Sequence, residues 1–134
     1  MSEKRVSAVI ISGDKQILLV HRIKNGSEYF VLPGGSVETE EDHISALIRE
    51  VKEETNLDVK IGKELWQVKS DADRRIQHIF LVSKYAGNLE LGSPEKERQS
   101  ESNKYFLEWR KIEDISNIDF YPEEIRLNII KEFA

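Results

Sequence analysis

The sequence contains no cysteine, and this absence removes several kinds of chemistry. A chain without thiols has no disulfide, no thiolate nucleophile and no zinc site built on sulfur. Any metal ion that this chain binds must therefore be held by oxygen or imidazole ligands.

Long apolar runs and an excess of positive charge are also missing. No stretch approaches the roughly 18 apolar residues of a transmembrane helix, and the first residues lack the apolar segment of a signal peptide. We therefore expect a cytoplasmic protein with no membrane partner. The net charge of -5 argues against a nucleic-acid partner, because nonspecific binding to nucleic acid depends on clustered Lys and Arg. An acidic protein that takes a polyanionic substrate needs a bound cation to hold it.

The length and composition predict one globular domain covering residues 1–134. A chain of 134 residues can bury a single core with a cleft in it. Apolar residues make up 39% and charged residues 34%, as in a soluble globular protein. No repeat, low-complexity tract or Pro/Gly/Ser linker divides the chain.

Short apolar runs predict a chain rich in strands. Residues 6–12 and 16–22 flank Gly13-Asp14, a turn-forming pair, and predict a β-hairpin. The run at 29–32 stops at Pro33-Gly34-Gly35, where the chain must turn sharply. Further strands are predicted at residues 59–68, 76–85 and 105–109, with a polar loop at 87–103.

Two amphipathic helices are predicted between and after these strands. The first has Thr39 as its N-cap and acidic residues 40–42 in its first turn. Its apolar stripe consists of Ile44, Leu47, Ile48, Val51 and Thr55. Asn56 suits the left-handed position that ends a helix. The second helix opens with Pro122 at its first position and carries a stripe of Ile125, Ile129, Ile130 and Phe133. Both helices are expected to pack on the sheet.

Three glutamates of the first helix form an acidic cluster. Glu50, Glu53 and Glu54 lie within an arc of roughly 100° on one helical face. Like charges at this spacing destabilise a helix by a few tenths of a kcal/mol per pair, a cost that a divalent cation removes. Mg²⁺ prefers carboxylate and phosphate oxygens, and Mn²⁺ could substitute for it. The plainer alternative is a solvated acidic face, which is the usual fate of Glu.

The segment from Gly35 to Leu57 resembles the Nudix box. That family's pattern is Gly, five residues, Glu, seven residues, Arg-Glu, an apolar residue, any residue, Glu-Glu, any residue, Gly and an apolar residue. The positions in register are Gly35, Glu41, Arg49, Glu50, Val51, Glu53, Glu54 and Leu57. Asn56 stands where the family has Gly. An accidental match to the other positions has a chance on the order of 10⁻⁶ per chain.

The resemblance implies a fold, an activity and roles for single residues. The implied fold is α/β, the Nudix fold, an α/β/α sandwich with a mixed, partly curled β-sheet. The implied activity is metal-dependent hydrolysis of a diphosphate linkage. The resemblance assigns metal ligation to the carbonyl of Gly34 and to Glu50, Glu53 and Glu54, an orienting role to Arg49, and structural roles to Gly35 and Glu41.

The identity of the general base stays open. A carboxylate must take the proton of the attacking water. In the family this base is either a box glutamate or a glutamate of a later loop. Glu50 is the box candidate, and the loop offers Glu95, Glu97 and Glu101, of which Glu97 is carried forward as the catalytic candidate. Each loop glutamate taken alone is more often mere surface charge.

Substrate contacts are weaker predictions. Arg22 and Arg98 are candidates for phosphate binding, although surface solvation is the commoner fate of either side chain. Tyr29 or Phe30 could stack on a nucleobase, but core packing is at least as common for such residues. The same ambiguity holds for Tyr105, Phe106 and Trp109.

The three histidines show no ligand spacing, such as two positions four residues apart on one helix. They are His21, His43 and His78. We therefore predict that all three are structural or exposed.

Three functions are compatible with these patterns. The preferred one is hydrolysis of a small nucleotide-like molecule, such as a nucleoside triphosphate, including oxidised forms, or a nucleoside diphosphate linked to another group. The alternative is a non-catalytic nucleotide-binding sensor on the same fold, against which the intact acidic trio argues. A third is an acidic protein-interaction domain, which would need no metal. The oligomeric state is undetermined, and a homodimer is left open.

Overall fold

The computed structural model describes residues 4–69, 75–92, 100 and 102–134, and these form an α/β structure as predicted. The strands are β1 (Lys4–Val9), β2 (Gln16–Lys24), β3 (Ser27–Val31), β4 (Gly34–Ser36), β5 (Asp58–Lys69), β6 (Ile76–Ala86) and β7 (Asn103–Lys111). The helices are α1 (His43–Thr55) and α2 (Glu123–Phe133), with a 3₁₀ helix (Ile112–Asn117) between β7 and α2. In this described part, no helix is long and apolar enough to span a membrane.

The strands form two sheets. The first is mixed, with the order β4-β1-β6-β5, and only its β1–β6 pair is parallel. The second is antiparallel, with the order β3-β2-β7. The mixed sheet implied by the resemblance is thus confirmed, and it places the central strand β1 between β4 and β6.

The two faces of β1 and β6 bury two separate apolar clusters, because successive side chains of a strand point to opposite faces. Val6, Ala8 and Phe80 pack with Leu47 and Val51 of α1. The opposite face carries Val9 and Ile79, which pack with Ile125 and Ile129 of α2 and with the 3₁₀ helix. Both helices therefore pack on the sheets as predicted, and α1 lies on the face of β1 and β6 that carries the first cluster.

Helix α1 starts three residues later than the sequence predicted. Its N-cap is Asp42, whose Oδ1 accepts the Ser45 backbone N–H at 2.7 Å and whose Oδ2 accepts the Ser45 hydroxyl at 3.0 Å. Glu40 has φ +68°, a left-handed conformation that keeps residues 39–41 out of the helix. The predicted Thr39 cap and the predicted acidic first turn were therefore wrong.

The buried stripe of α1 is also narrower than predicted. Leu47, Val51 and Thr55 are buried, together with Ala46, whereas Ile44 and Ile48 are 46% and 40% exposed. The predicted end of the helix is confirmed. Asn56 adopts φ +68°, and its N–H donates to the Lys52 carbonyl at 3.0 Å.

The predicted N-terminal hairpin is only partly formed. The turn at Gly13-Asp14 is present, and the Ser12 N–H donates to the Gln16 carbonyl at 2.8 Å. Beyond this turn β1 and β2 separate, because β1 pairs with β4 and β6 while β2 pairs with β3 and β7. Two smaller differences concern proline: residues 34–36 form an edge strand where a turn was predicted, and Pro122 is the N-cap of α2 rather than its first residue.

Candidate active site

Strand β4 lies directly against the acidic side of α1. A Cβ on Gly35 would lie 2.2 Å from Glu50 Oε2, so a side chain at this position would displace the Glu50 carboxylate or the strand. A Cβ on Gly34 would lie 2.0 Å from the Val6 carbonyl oxygen. The Gly34 N–H donates to Glu54 Oε1 at 3.0 Å. The absence of a side chain on Gly35 therefore allows β4 to lie against the Glu50 carboxylate, and its absence on Gly34 allows β4 to lie against β1.

Arg49 connects the loop before α1 with the acidic cluster. Its Nε and Nη2 donate to the two carboxylate oxygens of Glu41 at 2.8 and 2.9 Å, a bidentate pair. Its Nη1 donates to Glu50 Oε1 at 3.0 Å and lies 3.4 Å from Glu53 Oε2. Its Nη2 also donates to the Ser36 carbonyl at 3.3 Å. One guanidinium thus fixes Glu50 and Glu53 relative to β4.

The carboxylates around Arg49 differ in acidity. Hydrogen bonds from Arg49 and from the Glu38 backbone N–H lower the pKa of Glu41 to about 2. The same contact with Glu41 raises the pKa of Arg49. Burial raises the pKa of Glu50 and the nearby charge of Glu53 adds to this, although Arg49 opposes both. Glu50 is therefore a more basic carboxylate than Glu41.

The three box carboxylates share one side of α1, but different partners hold them. Glu54 is tied to β4, while Glu50 and Glu53 are tied to Arg49. Glu53 is 51% exposed, against 20% for Glu50. Among the described residues, the carboxylate oxygens of Glu50, Glu53 and Glu54 are not a group of ligand atoms that all lie within 4.8 Å of one another. The three side chains thus share one side of α1 as predicted, but their carboxylate oxygens do not converge as closely as the sequence analysis expected. The all-oxygen donor set fits a hard divalent cation.

The predicted substrate residues Arg22 and Tyr29 lie on adjacent strands, paired in register. The Arg22 Nη2 donates to Asn103 Oδ1 at 2.9 Å, and its guanidinium lies 3.8 Å from the centre of the Tyr105 ring. Tyr105 shares its face of β7 with Trp109, which packs against the cluster under α1. Arg22 therefore belongs to the same side of the molecule as the box helix.

Phe30 points the other way. It is 3% exposed, belongs to the cluster under α2, and stacks on His21 with ring centres 4.2 Å apart. Core packing therefore accounts for Phe30, and of the two candidate aromatic residues only Tyr29 remains available for a ligand.

The loop candidates Glu95, Glu97, Arg98 and Glu101 lie outside the described residues. The chain that leads into this loop is anchored at the end of α1. The Glu90 N–H donates to the Thr55 carbonyl at 2.9 Å, and the Gly92 N–H donates to the Glu54 carbonyl at 3.1 Å. The Asn56 side-chain amide donates to the Asn88 carbonyl at 2.9 Å. The residues that directly precede the loop therefore lie at the end of α1, close to the acidic cluster.

A group of chemically capable side chains was missed by the sequence analysis. Helix α1 and strands β5 and β6 bring together His43, Glu64 and His78. Ligand spacing along one helix cannot reveal them, because the three residues come from three elements. His78 pairs with Val6 and stands two residues before Phe80, so it lies on the side of β6 that faces α1. This position could be recognised only once the strand pairing was known.

The sequence model of the NUDIX domain family matches residues 1–128 of this chain. The chain belongs to the Nudix family. The resemblance of residues 35–57 to the Nudix box is thereby confirmed. Enzymes of this family are pyrophosphatases and pyrophosphohydrolases, and they generally need a divalent metal ion.

Two curated relatives of this Nudix chain carry names that describe activities. It is 40% identical over 96 residues to the ADP-ribose pyrophosphatase of Methanocaldococcus jannaschii, in a match covering 67% of this chain and 56% of that protein. It is 26% identical over 136 residues to the RNA pyrophosphohydrolase of Pelagibacter ubique, in a match covering 95% of this chain and 85% of that protein. The chain thus spans little more than half the length of the first relative.

Solved structures agree on the Nudix fold. MutT from Aliivibrio salmonicida and Vibrio cholerae matches with a TM-score of 0.76 at 23% identity, over 97% of this chain and 98% of that one. The ORF135 protein of E. coli matches with a TM-score of 0.72 at 25% identity, over 97% of this chain and 86% of that one. The fold implied by the resemblance is therefore confirmed.

Proposed function

We propose that this Nudix domain hydrolyses a diphosphate linkage in a nucleotide or a nucleoside-diphosphate derivative, with the help of a divalent metal ion. The observation that carries the proposal is the packing of Glu50 against Gly35 with Arg49 fixing Glu50 and Glu53. A merely solvated acidic face has no need for a side-chain-free strand beside it or for a shared guanidinium.

The metal ligands would be the carbonyl of Gly34 and the carboxylates of Glu50, Glu53 and Glu54. Mg²⁺ suits such hard oxygen donors, and Mn²⁺ can replace it. When bound, the ion supplies charge withdrawal from the phosphate oxygens and lowers the pKa of a bound water. The Gly34 N–H holds Glu54 beside β4, which keeps this carboxylate next to the proposed carbonyl ligand.

The remaining box residues act through position. Glu41 holds Arg49 by two hydrogen bonds, and Arg49 in turn holds Glu50 and Glu53. Because Glu41 keeps its charge down to about pH 2, this chain of contacts persists across the neutral range. A side chain at position 35 would displace the Glu50 carboxylate, so Gly35 allows Glu50 to keep its place beside β4.

Glu50 is our first candidate for the general base. Burial raises its pKa, and a carboxylate of higher pKa accepts a proton from water more readily. The loop glutamates Glu95, Glu97 and Glu101 are the competing candidates. If Glu97 is the base, Glu97→Gln abolishes turnover while leaving metal affinity intact, whereas Glu50→Gln weakens both.

The preferred substrate class is a nucleoside triphosphate, including its oxidised forms. Arg22 and Tyr29, on the face of β2 and β3 that continues the side of α1, would contact phosphate and nucleobase, with Arg98 as a further phosphate contact. The two curated relatives are named for ADP-ribose and for RNA, so both chemistries belong in the same test. A homodimer is compatible with this function but is not required by it.

The deciding experiment incubates the protein with nucleoside triphosphates, their 8-oxo forms, ADP-ribose and 5′-triphosphorylated RNA. Each reaction contains Mg²⁺ or Mn²⁺, and released phosphate, pyrophosphate and nucleotides are identified. The products name both the substrate and the bond that is cleaved. Tight nucleotide binding without turnover of any compound would instead support the sensor alternative.

The metal assignment predicts a large loss in box variants. Glu53→Gln and Glu54→Gln should each lower turnover at least about a hundredfold, because each removes charge that stabilises the transition state through the metal. Glu132→Gln, a change on the exposed side of α2, is the matched control and should leave turnover unchanged. Near-normal turnover in both box variants would refute the assignment.

A further inference from the structure

We propose that His43, Glu64 and His78 form a second metal site, suited to Zn²⁺ or another divalent ion that favours imidazole. One ring nitrogen from each histidine and one oxygen of Glu64 all lie within 4.8 Å of one another. The two imidazole rings are in contact, with centres 4.3 Å apart and planes tilted by 41°. Two imidazoles and one carboxylate are the protein ligands of many open zinc sites.

His78 carries the main evidence that this cluster is built for a ligand. It is only 7% exposed, and its Nδ1 lies 2.6 Å from Glu64 Oε1. Its Nε2 is buried and has no hydrogen-bond partner among the described residues. A buried polar atom without a partner costs free energy, and a bound ion is one way to satisfy it.

The position of Glu64 depends on an irregularity in β5. The register between β5 and β6 shifts on both sides of Glu64, and such bulges redirect side chains. The Gln67 side-chain amide donates to Glu64 Oε2 at 3.1 Å and fixes the carboxylate that faces His78. Ligand atoms around one zinc ion lie about 3.3 to 3.5 Å apart, so small rotations of the partly exposed His43 and Glu64 would complete the site.

The charges around the cluster allow metal binding at neutral pH. Partial burial, with His78 and Lys4 adding to it, lowers the pKa of His43 and favours the neutral ring that binds metals. Although burial raises it, hydrogen bonds from His78 and Gln67 lower the pKa of Glu64, which stays ionised. Lys4 opposes a cation by charge repulsion, whereas Asp42 and Glu64 favour one.

This site is distinct from the box carboxylates. His43 precedes Glu50 by seven residues, which is about 10.5 Å along a helix axis. The ions of a two-metal catalytic centre lie about 3.5–4 Å apart, so a metal at His43 would not be the second ion of such a centre. Its effect would be to clamp the start of α1 onto β5 and β6, and this role does not depend on diphosphate hydrolysis.

The test is calorimetric titration of metal-free protein with Zn²⁺ in millimolar Mg²⁺, which occupies oxygen sites but competes poorly for imidazole. Wild type should bind one Zn²⁺ per chain. His43→Asn and Glu64→Gln should each weaken this binding by more than the roughly 10- to 100-fold that the loss of an orienting contact costs, because each removes one of the three protein ligands. Both side chains are partly exposed, so both variants should fold.

Two controls make the outcome specific. His21→Asn changes the remaining histidine, which lies beside Glu28 and Glu108 on the other sheet, and Zn²⁺ affinity should be unchanged. The double variant Glu53→Gln/Glu54→Gln should also keep its affinity for Zn²⁺. Absence of Zn²⁺ binding in wild type, or a loss that follows the box variants rather than His43→Asn, would overturn the second site without touching the proposed hydrolysis.

Discussion

Gly35 positions a reactive carboxylate by having no side chain. A single added methyl group would meet the Glu50 carboxylate at 2.2 Å, which is far inside van der Waals contact. Glu50 or β4 would then have to move by about an ångström, and a misplacement of that size costs roughly a hundredfold in rate. We expect Gly35→Ala to lower turnover by about that factor, as measured by phosphate or pyrophosphate release.

Gly13→Ala is the control for this prediction. A Cβ on Gly13 meets no atom within 4 Å, so the variant should keep both its fold and its turnover. Circular dichroism on both variants separates a displaced carboxylate from a general loss of structure. Equal activity in Gly35→Ala and wild type would mean that Glu50 does not act from its observed position.

The box residues could be identified from sequence because their spacing on a helix fixes which of them share a face. The residues that contact these side chains could not be identified in this way. Glu41 lies outside α1, and its contact with Arg49 depends on the loop that folds back before Asp42. The grouping of His43 with Glu64 depends on strand pairing and on a bulge, neither of which leaves a local pattern.

At the scale of the element, the start of α1 offers a direct comparison between two candidate caps. Asp42→Ala removes the acceptor for the Ser45 N–H and should lower the melting temperature by about 3–5 °C, the usual effect of a lost N-cap in a chain of this size. Thr39→Ala should change it by less than about 1 °C, because Thr39 lies outside the helix and is exposed. Thermal unfolding followed by circular dichroism measures both; the reverse order would mean that the helix begins at Thr39 after all.

The end of α1 tests the departure at Asn56 from the family pattern. Glycine adopts the left-handed conformation without strain, but Asn56→Gly also loses the hydrogen bond to the Asn88 carbonyl. These effects oppose each other, so stability should change by less than about 1 kcal/mol and turnover by less than about tenfold.

Asn56→Ala separates the two contributions. Alanine neither adopts the left-handed conformation easily nor donates to Asn88, so this variant should be less stable in urea unfolding than wild type and than Asn56→Gly. A rise in activity of orders of magnitude in Asn56→Gly would show instead that the asparagine damages the site.

The boundary of a helix or strand could be predicted from sequence only where a single residue suits the terminal position. The end of α1 at Asn56 and the extents of β5 and β6 agree closely with the sequence patterns. The start of α1 does not, because Thr39 and Asp42 are both acceptable caps and the left-handed Glu40 decides between them. Ile44 and Ile48 fit a helical stripe, yet both stay exposed.

At the scale of the whole molecule, the Glu41–Arg49 pair makes stability depend on pH. The folded pKa of Glu41 is depressed from 4.5 to about 2, so the pair stabilises the native state above about pH 4.5 and loses this effect as the pH falls towards 2. The stability difference between wild type and Glu41→Gln should therefore be constant near neutrality and shrink across that acid range.

Chemical unfolding at a series of pH values measures this difference. Glu132→Gln removes an exposed carboxylate of α2 that has no such contact with Arg49. This control should differ from wild type by an amount that does not follow the same pH dependence. A wild-type advantage over Glu41→Gln that persists unchanged at pH 2 would contradict the assigned contact.

The arrangement of strands into two sheets was beyond the reach of sequence patterns alone. The turn at Gly13-Asp14 correctly joins two strands, but it cannot show that β1 pairs in parallel with β6, which begins 76 residues into the chain. The mixed sheet could be predicted only from the resemblance to the Nudix box, because that resemblance implies the fold of the whole domain.

The two borders of the mixed sheet have a consequence for association. One border is β4, with only three residues, two of them glycine, and the other is β5, whose pairing is broken by several register shifts. Short or kinked borders offer an incoming strand few evenly spaced donors and acceptors. Growth of this sheet into a fibril or a strand-swapped pair is therefore disfavoured.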